Sequence, residues 1–358
     1  MKLPNTRLFT LVLSLALVIM VGWLLVNGKG LLLPIFTAII SVYILNSCVT
    51  LLDRQPLIGR LPVWSLRLIV LMVFTACIIG IMLVVSITVD QLLTVAPTYQ
   101  ENLEGLLARL TTFFGVRTDP TWAEIRAATI GQIDLRGLLA YLLASLTSIG
   151  GSIFLVVVYA AFLFGERASF GAKLDAAFPR TQATQTREMI QNINARIGEY
   201  LAVKTLINII LGLASFVIMW AMDVDFALFW AVMIGLMNYI PYVGSLIGVA
   251  FPVVLSLAQF GAVWPSFLLA AMLTSAQTFV GNVLEPRMIG RQLNLSPFVV
   301  LVALSLWTTL WGIPGAILAI PMTSMITIIC AGFPDTRFIA ILLAEKVEET
   351  QGTEEQPV

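Results

Sequence analysis

Apolar segments of about twenty residues recur along the chain, each long enough to cross a bilayer's hydrocarbon core as a helix. They fall at Leu8–Gly28, Leu31–Leu52, Leu68–Val89, Leu146–Gly165, Thr205–Met222 and Pro265–Leu284. Two more apolar runs break in their middles. Phe226–Ala258 breaks at Asn238-Tyr-Ile-Pro-Tyr-Val-Gly244, and Pro297–Ala331 at Trp311-Gly-Ile-Pro-Gly315. No Lys, Arg, Asp or Glu stands between Asp225 and Glu285, or from Gln292 to Pro334. Lipid cannot hydrogen-bond loose peptide groups, so such a break survives only where protein buries it or where it lines a watery cavity. Two breaks in corresponding places point to a path for a solute. The start, Met1 to Gly28, resembles a signal peptide in layout. Its apolar run is too long for one, and a second apolar segment follows at once, so it reads as a first span.

Charge sets the orientation. With the N-terminus in the cytoplasm, 15 of the 20 Lys and Arg residues fall inside. Only Lys29, Arg109, Arg117, Arg126 and Arg136 fall outside, as the positive-inside rule requires. The C-terminus is then cytoplasmic too. Arg287 and Arg291 lie inside only if Phe226–Ala258 starts and ends outside, as a hairpin whose arms are too short to span. By the same logic Pro297–Ala331 starts and ends inside. The expected fold class is all-α: a polytopic membrane helical bundle with two re-entrant helical hairpins in an inverted repeat. Gly and Pro merely kinking two long tilted spans is the plainer alternative. Inverted repeats with broken helices mark secondary transporters, whose solute binds near the midplane. Small residues four apart after each tip, Gly244 and Gly248, then Gly315 and Ala319, suit close helix packing in lipid.

The expected parts are residues 1–90 (three spans), 91–145 (an extracytoplasmic amphipathic helical insertion), 146–203 (a fourth span and a cytoplasmic amphipathic helix), 204–334 (a transport core with the broken hairpins 226–258 and 297–331) and 335–358 (an acidic cytoplasmic tail). The insertion carries Leu103, Leu106, Leu107, Leu110 and Phe114 at helical spacing, with helix starts near Asp119-Pro120 and Asp134. It reads as a cap packed on the bundle. Met189, Ile190, Ile193 and Ile197 form one apolar face of a helix expected to run unbroken into the Thr205 segment.

Composition narrows the chemistry. The chain is 59% hydrophobic and 11% charged, against about 25% charged in a soluble domain, so the lipid bilayer is its medium. Net charge is zero, which speaks against nucleic acid as a partner. There is no His, which removes His-ligated metals, Ser-His-Asp hydrolysis and His proton relays. Cys48, Cys77 and Cys330 are scattered through apolar stretches and form no metal or disulfide framework. No phosphate-binding loop or zinc-protease motif is present, so neither enzyme activity nor a cofactor is expected, and transport is downhill or coupled to an ion gradient.

The first tip carries the candidate site. Its free backbone groups are expected to bind a polar solute or a cation. Asn238 supplies hydrogen bonds there, with Tyr239 and Tyr242 beside it. Pro241, Gly244, Pro314 and Gly315 shape the two tips. Gln277 and Asn282 follow on the next helix, facing different directions. Asn208 and Ser215 share a face of the earlier one. This uncharged set suits a small neutral polyol. Each amide has a plainer reading, as a helix–helix hydrogen bond that only fastens the bundle. At the inner edge, Glu285, Arg287 and Arg291 form either an ion-coupling or gating group or a local ion pair closing a loop. At the outer edge, Asp223 is a candidate coupling carboxylate, and Asp225 reads as the cap of the following helix.

Asn238-Tyr-Ile-Pro-Tyr-Val-Gly244, with Gly281-Asn-Val-Leu-Glu285-Pro-Arg-Met-Ile-Gly290 and Leu318-Ala-Ile-Pro321, resembles the autoinducer-2 exporter family of bacterial inner-membrane permeases. The likeness covers most of the chain and is strongest from about Gly198 to Glu345. It implies export of a small polar signalling molecule of the autoinducer-2 type as in quorum sensing, and a homo-oligomer in the cell inner membrane; the expected mechanism is alternating access, one helix–hairpin set shifting against the first four spans. Members reported as sodium/proton antiporters keep that reading open, with Glu285 or Asp223 as the coupling group. A non-transporting scaffold or sensor built on the 91–145 region is the alternative from another class.

Overall fold

The computed structural model describes residues 6–56, 61–113, 135–289 and 293–346. Among them all regular structure is helical: α1 (Thr6–Asn27), α2 (Lys29–Asp53), α3 (Val63–Phe113), α4 (Leu135–Ala177), α5 (Arg180–Ala221), α6 (Ala227–Met237), α7 (Val243–Phe260), α8 (Val263–Phe279), α9 (Pro297–Trp311), α10 (Ile313–Ala331) and α11 (Arg337–Leu343). A π-helical turn, Val280–Leu284, and one α turn, Glu285–Ile289, prolong α8. Arg291, the motifs at Asp119-Pro120 and Asp134, Phe114 and the acidic tail beyond Lys346 lie outside the described residues.

Six of these helices are long and apolar enough to cross a membrane: Lys29–Asp53, Val63–Leu92, Gln182–Ala221, Val243–Phe260, Val263–Ile289 and Ile313–Ala331. Their side chains are largely unburied, only 6% of the most apolar window of Val63–Leu92 being covered by protein. That surface is stable in contact with lipid tails and would be a liability in water. The chain is therefore a multi-span helical membrane protein. The expected boundary at residue 90 is one of polarity, because α3 runs 51 residues straight through Asp90. Likewise α5 carries the amphipathic stretch into the apolar one without a break.

The chain forms two compact units. The first holds Met1–Ser47, Tyr159–Leu201 and Arg291–Val358, and the second Cys48–Val158 and Ala202–Gly290. In the second, Ile207 and Leu211 of α5, Ala231 and Ile234 of α6, and Leu269 and Leu273 of α8 build an apolar core. In the first, Trp311 is buried against Phe36 and Trp307, with ring centroids 5.6 and 5.2 Å away, and its indole N–H donates to the Leu25 carbonyl at 2.9 Å.

Both broken runs fold back on themselves. Trp230 of α6 stacks on Phe251 of α7 with centroids 6.1 Å apart. Had α6 and α7 been one continuous helix, those residues would stand about 30 Å apart. In the second run the Trp307 indole N–H donates to Thr323 Oγ1 at 3.1 Å, across a break held by Gly312 at φ 70°, a conformation that only glycine adopts freely. The arms are unequal, which corrects the expectation that all four are too short to span. α6 and α9 have 11 and 15 residues, but α7 and α10 have 18 and 19. The breaks lie off-centre, and each second arm propagates until Gly261 or Gly332 stops it.

Candidate polar network at the first hairpin tip

At the first tip the chain turns within the backbone's own bonding capacity. The N–H groups of Asn238, Tyr239, Ile240 and Gly244 donate to Ile234, Leu236, Met237 and Ile240 carbonyls at 2.8–3.3 Å, and Val243 N–H donates to Pro241 O. Tyr242 reverses the chain at φ 61°. The expectation that free backbone groups form the site is thus corrected for these donors. Pro241 removes one N–H outright, and the tight turn consumes five others. Side chains are the other polar groups at the tip.

Those side chains form a directed chain of amides. Gln277 Nε2 donates to Asn238 Oδ1 at 2.8 Å, and Asn238 Nδ2 donates to Asn208 Oδ1, also at 2.8 Å. Asn238 and Asn208 are buried, at 7% and 4% exposure. The chain ends at Asn208 Nδ2, which is buried without a well-formed hydrogen bond. Beside it, the Tyr239 hydroxyl shares a 2.6 Å hydrogen bond with Thr205 Oγ1. Lys204, Thr205 and Asn208 occupy neighbouring positions on α5, and the hairpin and α8 bring the rest to them. Asn208 Nδ2 faces the Tyr239 hydroxyl without full hydrogen-bond geometry, and a weakly held donor of this kind is one that a ligand oxygen completes.

A charged pair stands next to the amides. Lys204 Nζ lies 2.6 Å from Glu285 Oε1, with side-chain exposures of 4% and 29%. The expected local pairing of Glu285 with Arg287 is corrected here. Arg287 points outward and is exposed, and Glu285 instead reaches 81 residues back along the chain. Glu285 follows directly on the π turn, a helix defect found often at functional sites. Asn282 lies on that turn with its side chain exposed, apart from the amide network.

The Asp223–Phe226 turn of the same unit is bound differently. Asp225 does not cap α6: the cap position is Phe226, at φ 58° and without a side-chain cap bond. Asp225 Oδ2 instead accepts from the Tyr99 hydroxyl at 2.6 Å, and its N–H donates to Gln259 Oε1 at 2.9 Å. Gln259 Nε2 closes the clamp on the Asp223 carbonyl at 2.7 Å. The Asp223 side chain is exposed. Burial, and then the Asp225 carboxylate, push the Tyr99 phenol above its ordinary pKa. Gly244 and Gly315 are buried where each hairpin closes, whereas Pro314 is exposed.

Sequence reasoning singled out Asn238, Gln277, Asn208, Tyr239 and Glu285, each of which makes a side-chain hydrogen bond here. It missed Lys204 and Thr205, and the Tyr99–Asp225–Gln259 clamp. Lys204 carried one signal: a cation one turn before Asn208, at the point where the polar first half of α5 gives way to its apolar half.

A multi-span helical protein with broken helices and a largely buried uncharged network has the features of a membrane transport protein. The family described as AI-2E family transporter matches residues 9–334, and the chain belongs to it. Over 349 residues it is 28% identical to the AI-2 transport protein TqsA of Escherichia coli (strain K12), covering 94% of this chain and 97% of that protein. A Borreliella burgdorferi protein, provisionally named a transport protein, is 37% identical over 187 residues, and that match spans 51% of its length. The provisionally named transport protein YhhT of Escherichia coli (strain K12) is 27% identical over 82% of this chain and 81% of its own.

Proposed function

We propose that this protein is a secondary transporter that exports a small, neutral, polar solute of the autoinducer-2 type by alternating access. One observation carries the reading: the Gln277–Asn238–Asn208 chain at a broken helix, buried at its two asparagines and ending in a weakly bonded amide donor. Amides and hydroxyls without net charge match a polyol, whose oxygens both donate and accept. Similarity to a relative named an AI-2 transport protein supports the substrate class. In this reading Asn238, Tyr239 and Gln277 hold the solute and Asn282 lies on its path. Pro241 and Gly244 shape the first tip, and Pro314 and Gly315 the second.

The two folded-back runs serve as re-entrant hairpins of an inverted repeat, in an inner-membrane protein with both termini cytoplasmic and a homo-oligomeric assembly. Pro252 within α7 and Pro321 within α10 support the repeat by their matching places. Sodium or proton coupling stays secondary, because Glu285 is committed to Lys204. Arg287 and Arg291 at that edge, and Asp223 at the other, then serve loop closure and gating.

The test is flux from liposomes of purified protein, with autoinducer-2 measured beside sodium- and proton-sensitive dyes. Autoinducer-2 flux that is lost in Asn238→Ala and kept in the double variant Lys204→Met/Glu285→Gln is the expected result. A sodium-dependent proton signal abolished by that double variant would replace the exporter reading with an antiporter.

A further inference from the structure

Within the first unit a cavity of about 560 Å³ opens between the first turns of α5, the end of α10, α11 and residues 293–295. Its size falls in the range of small-molecule sites. It is separate from the amide network, all of whose members belong to the second unit. The walls are of two kinds. Met189, Leu295, Ile328 and Ile341 supply apolar surface, whereas Arg196, Arg337 and Lys346 bring three cations against, among the described residues, one lining carboxylate, Glu188. Deeper in, Ser324 is 3% exposed and its hydroxyl has no hydrogen-bond partner. A buried serine in a helix ordinarily returns its proton to the carbonyl one turn back. An unpaired hydroxyl lining a roomy cavity is instead available to a ligand.

The walls are held in place. Gln185 Nε2 donates to Gly332 O at 3.1 Å, tying α5 to the end of α10. Asn294 grips the backbone of Lys346 twice, at 2.7 and 3.0 Å, and so fixes the chain that follows α11. Cations on three segments, converging with hydroxyl and amide donors, match a group with several anionic oxygens.

We propose that this cavity binds the phosphate of an anionic ligand, with Arg196, Arg337 and Lys346 at its rim and the Ser324 hydroxyl as its buried donor. Ser324 lies within the apolar span Ile313–Ala331, and Arg337 follows just beyond its end. The site therefore sits where a phospholipid headgroup would lie beside α10, and basic pockets at such depth hold anionic headgroups. A soluble phosphate ester presents the same chemistry, with the apolar wall accepting its organic part.

The experiment uses the full-length protein in a non-ionic detergent. It is titrated with short-chain phosphatidylglycerol and, separately, with glycerol 3-phosphate, and binding is followed by thermal shift. We expect at least one to bind. Affinity should fall roughly ten-fold or more in Arg196→Gln/Arg337→Gln and rise several-fold in Glu188→Gln. Ser324→Ala should weaken it as well. Glu188 is exposed, so its replacement keeps the fold while changing the field in the opposite direction. Binding of the lipid alone assigns a headgroup site. Binding of glycerol 3-phosphate assigns a soluble ligand. If neither binds, or if binding ignores both charge changes, the proposal is overturned.

Discussion

The Lys204 ammonium and the Glu285 carboxylate meet at 2.6 Å, although 81 residues separate them. Lys204 is almost wholly buried and Glu285 is partly open. Removing one partner strands the other charge in a low-dielectric setting, whereas removing both does not. Glu285→Gln alone should therefore destabilise the protein by roughly 3 kcal/mol, and Lys204→Met/Glu285→Gln should recover most of that loss. Thermal unfolding in detergent measures both. Equal melting temperatures for the single variant and the wild type would show that the pair is energetically idle.

The amide chain separates transport from fastening. Asn238→Ala breaks two hydrogen bonds and leaves Gln277 Nε2 and Asn208 Oδ1 without that partner, at a cost of about 1–3 kcal/mol. If the network holds solute, flux per folded molecule should fall at least ten-fold, and Asn208→Ala should do the same. Loss of stability with unchanged flux would make the network a fastener only.

Close approach at the hairpin tips sets a steric test. A Cβ on Gly244 would press into the Met237 carbonyl oxygen, and one on Gly315 into that of Trp307. Both obstacles are backbone, which cannot swing aside, so Gly244→Ala and Gly315→Ala should each cost at least about 3 kcal/mol or fail to fold. Gly80 has nothing within 4 Å of such a Cβ. Gly80→Ala should therefore gain a few tenths to about 1 kcal/mol from helix propensity. Yield of folded protein and melting temperature read out the opposite signs.

Tyr99 gives a pH-dependent signal. Burial, reinforced by Asp225, raises its phenol pKa in the folded protein. The folded state then holds this proton more tightly than the unfolded one. Its contribution is full below the ordinary phenol pKa of about 10 and is lost as pH rises from there through the folded value. Tyr99→Phe should cost about 1–2 kcal/mol at neutral pH by breaking the 2.6 Å bond to Asp225. It should also reduce the decline in melting temperature above pH 10. An unchanged alkaline slope would contradict the assignment.

Much of the architecture is a local property and was legible. Runs of apolar residues gave four of the six long apolar helices, and Asn238–Gly244 and Trp311–Gly315 gave the breaks, because helix formation and its interruption depend on neighbours within a few residues. The unequal arms were less visible, since a helix continues until its cap and the tip motif does not say where that is.

Partnership between distant side chains was not legible. The sequence offers Glu285 two arginines nearby, at 287 and 291, and gives no sign that Lys204 is its partner. It offers Asp225 a helix to cap, and the fold hands it to Tyr99. It shows Gln277, Asn238 and Asn208 as separate polar positions, and Ser324 as one more small residue in a span. What the sequence by itself determined is the helical membrane protein, its breaks and its family. Only the tertiary structure decided which polar groups meet and which, like the Ser324 hydroxyl, are left unpaired. The reason is geometric: hydrophobic pattern fixes which residues leave water, but pairing depends on the rotation and depth of each packed helix, which few polar positions per span do not encode.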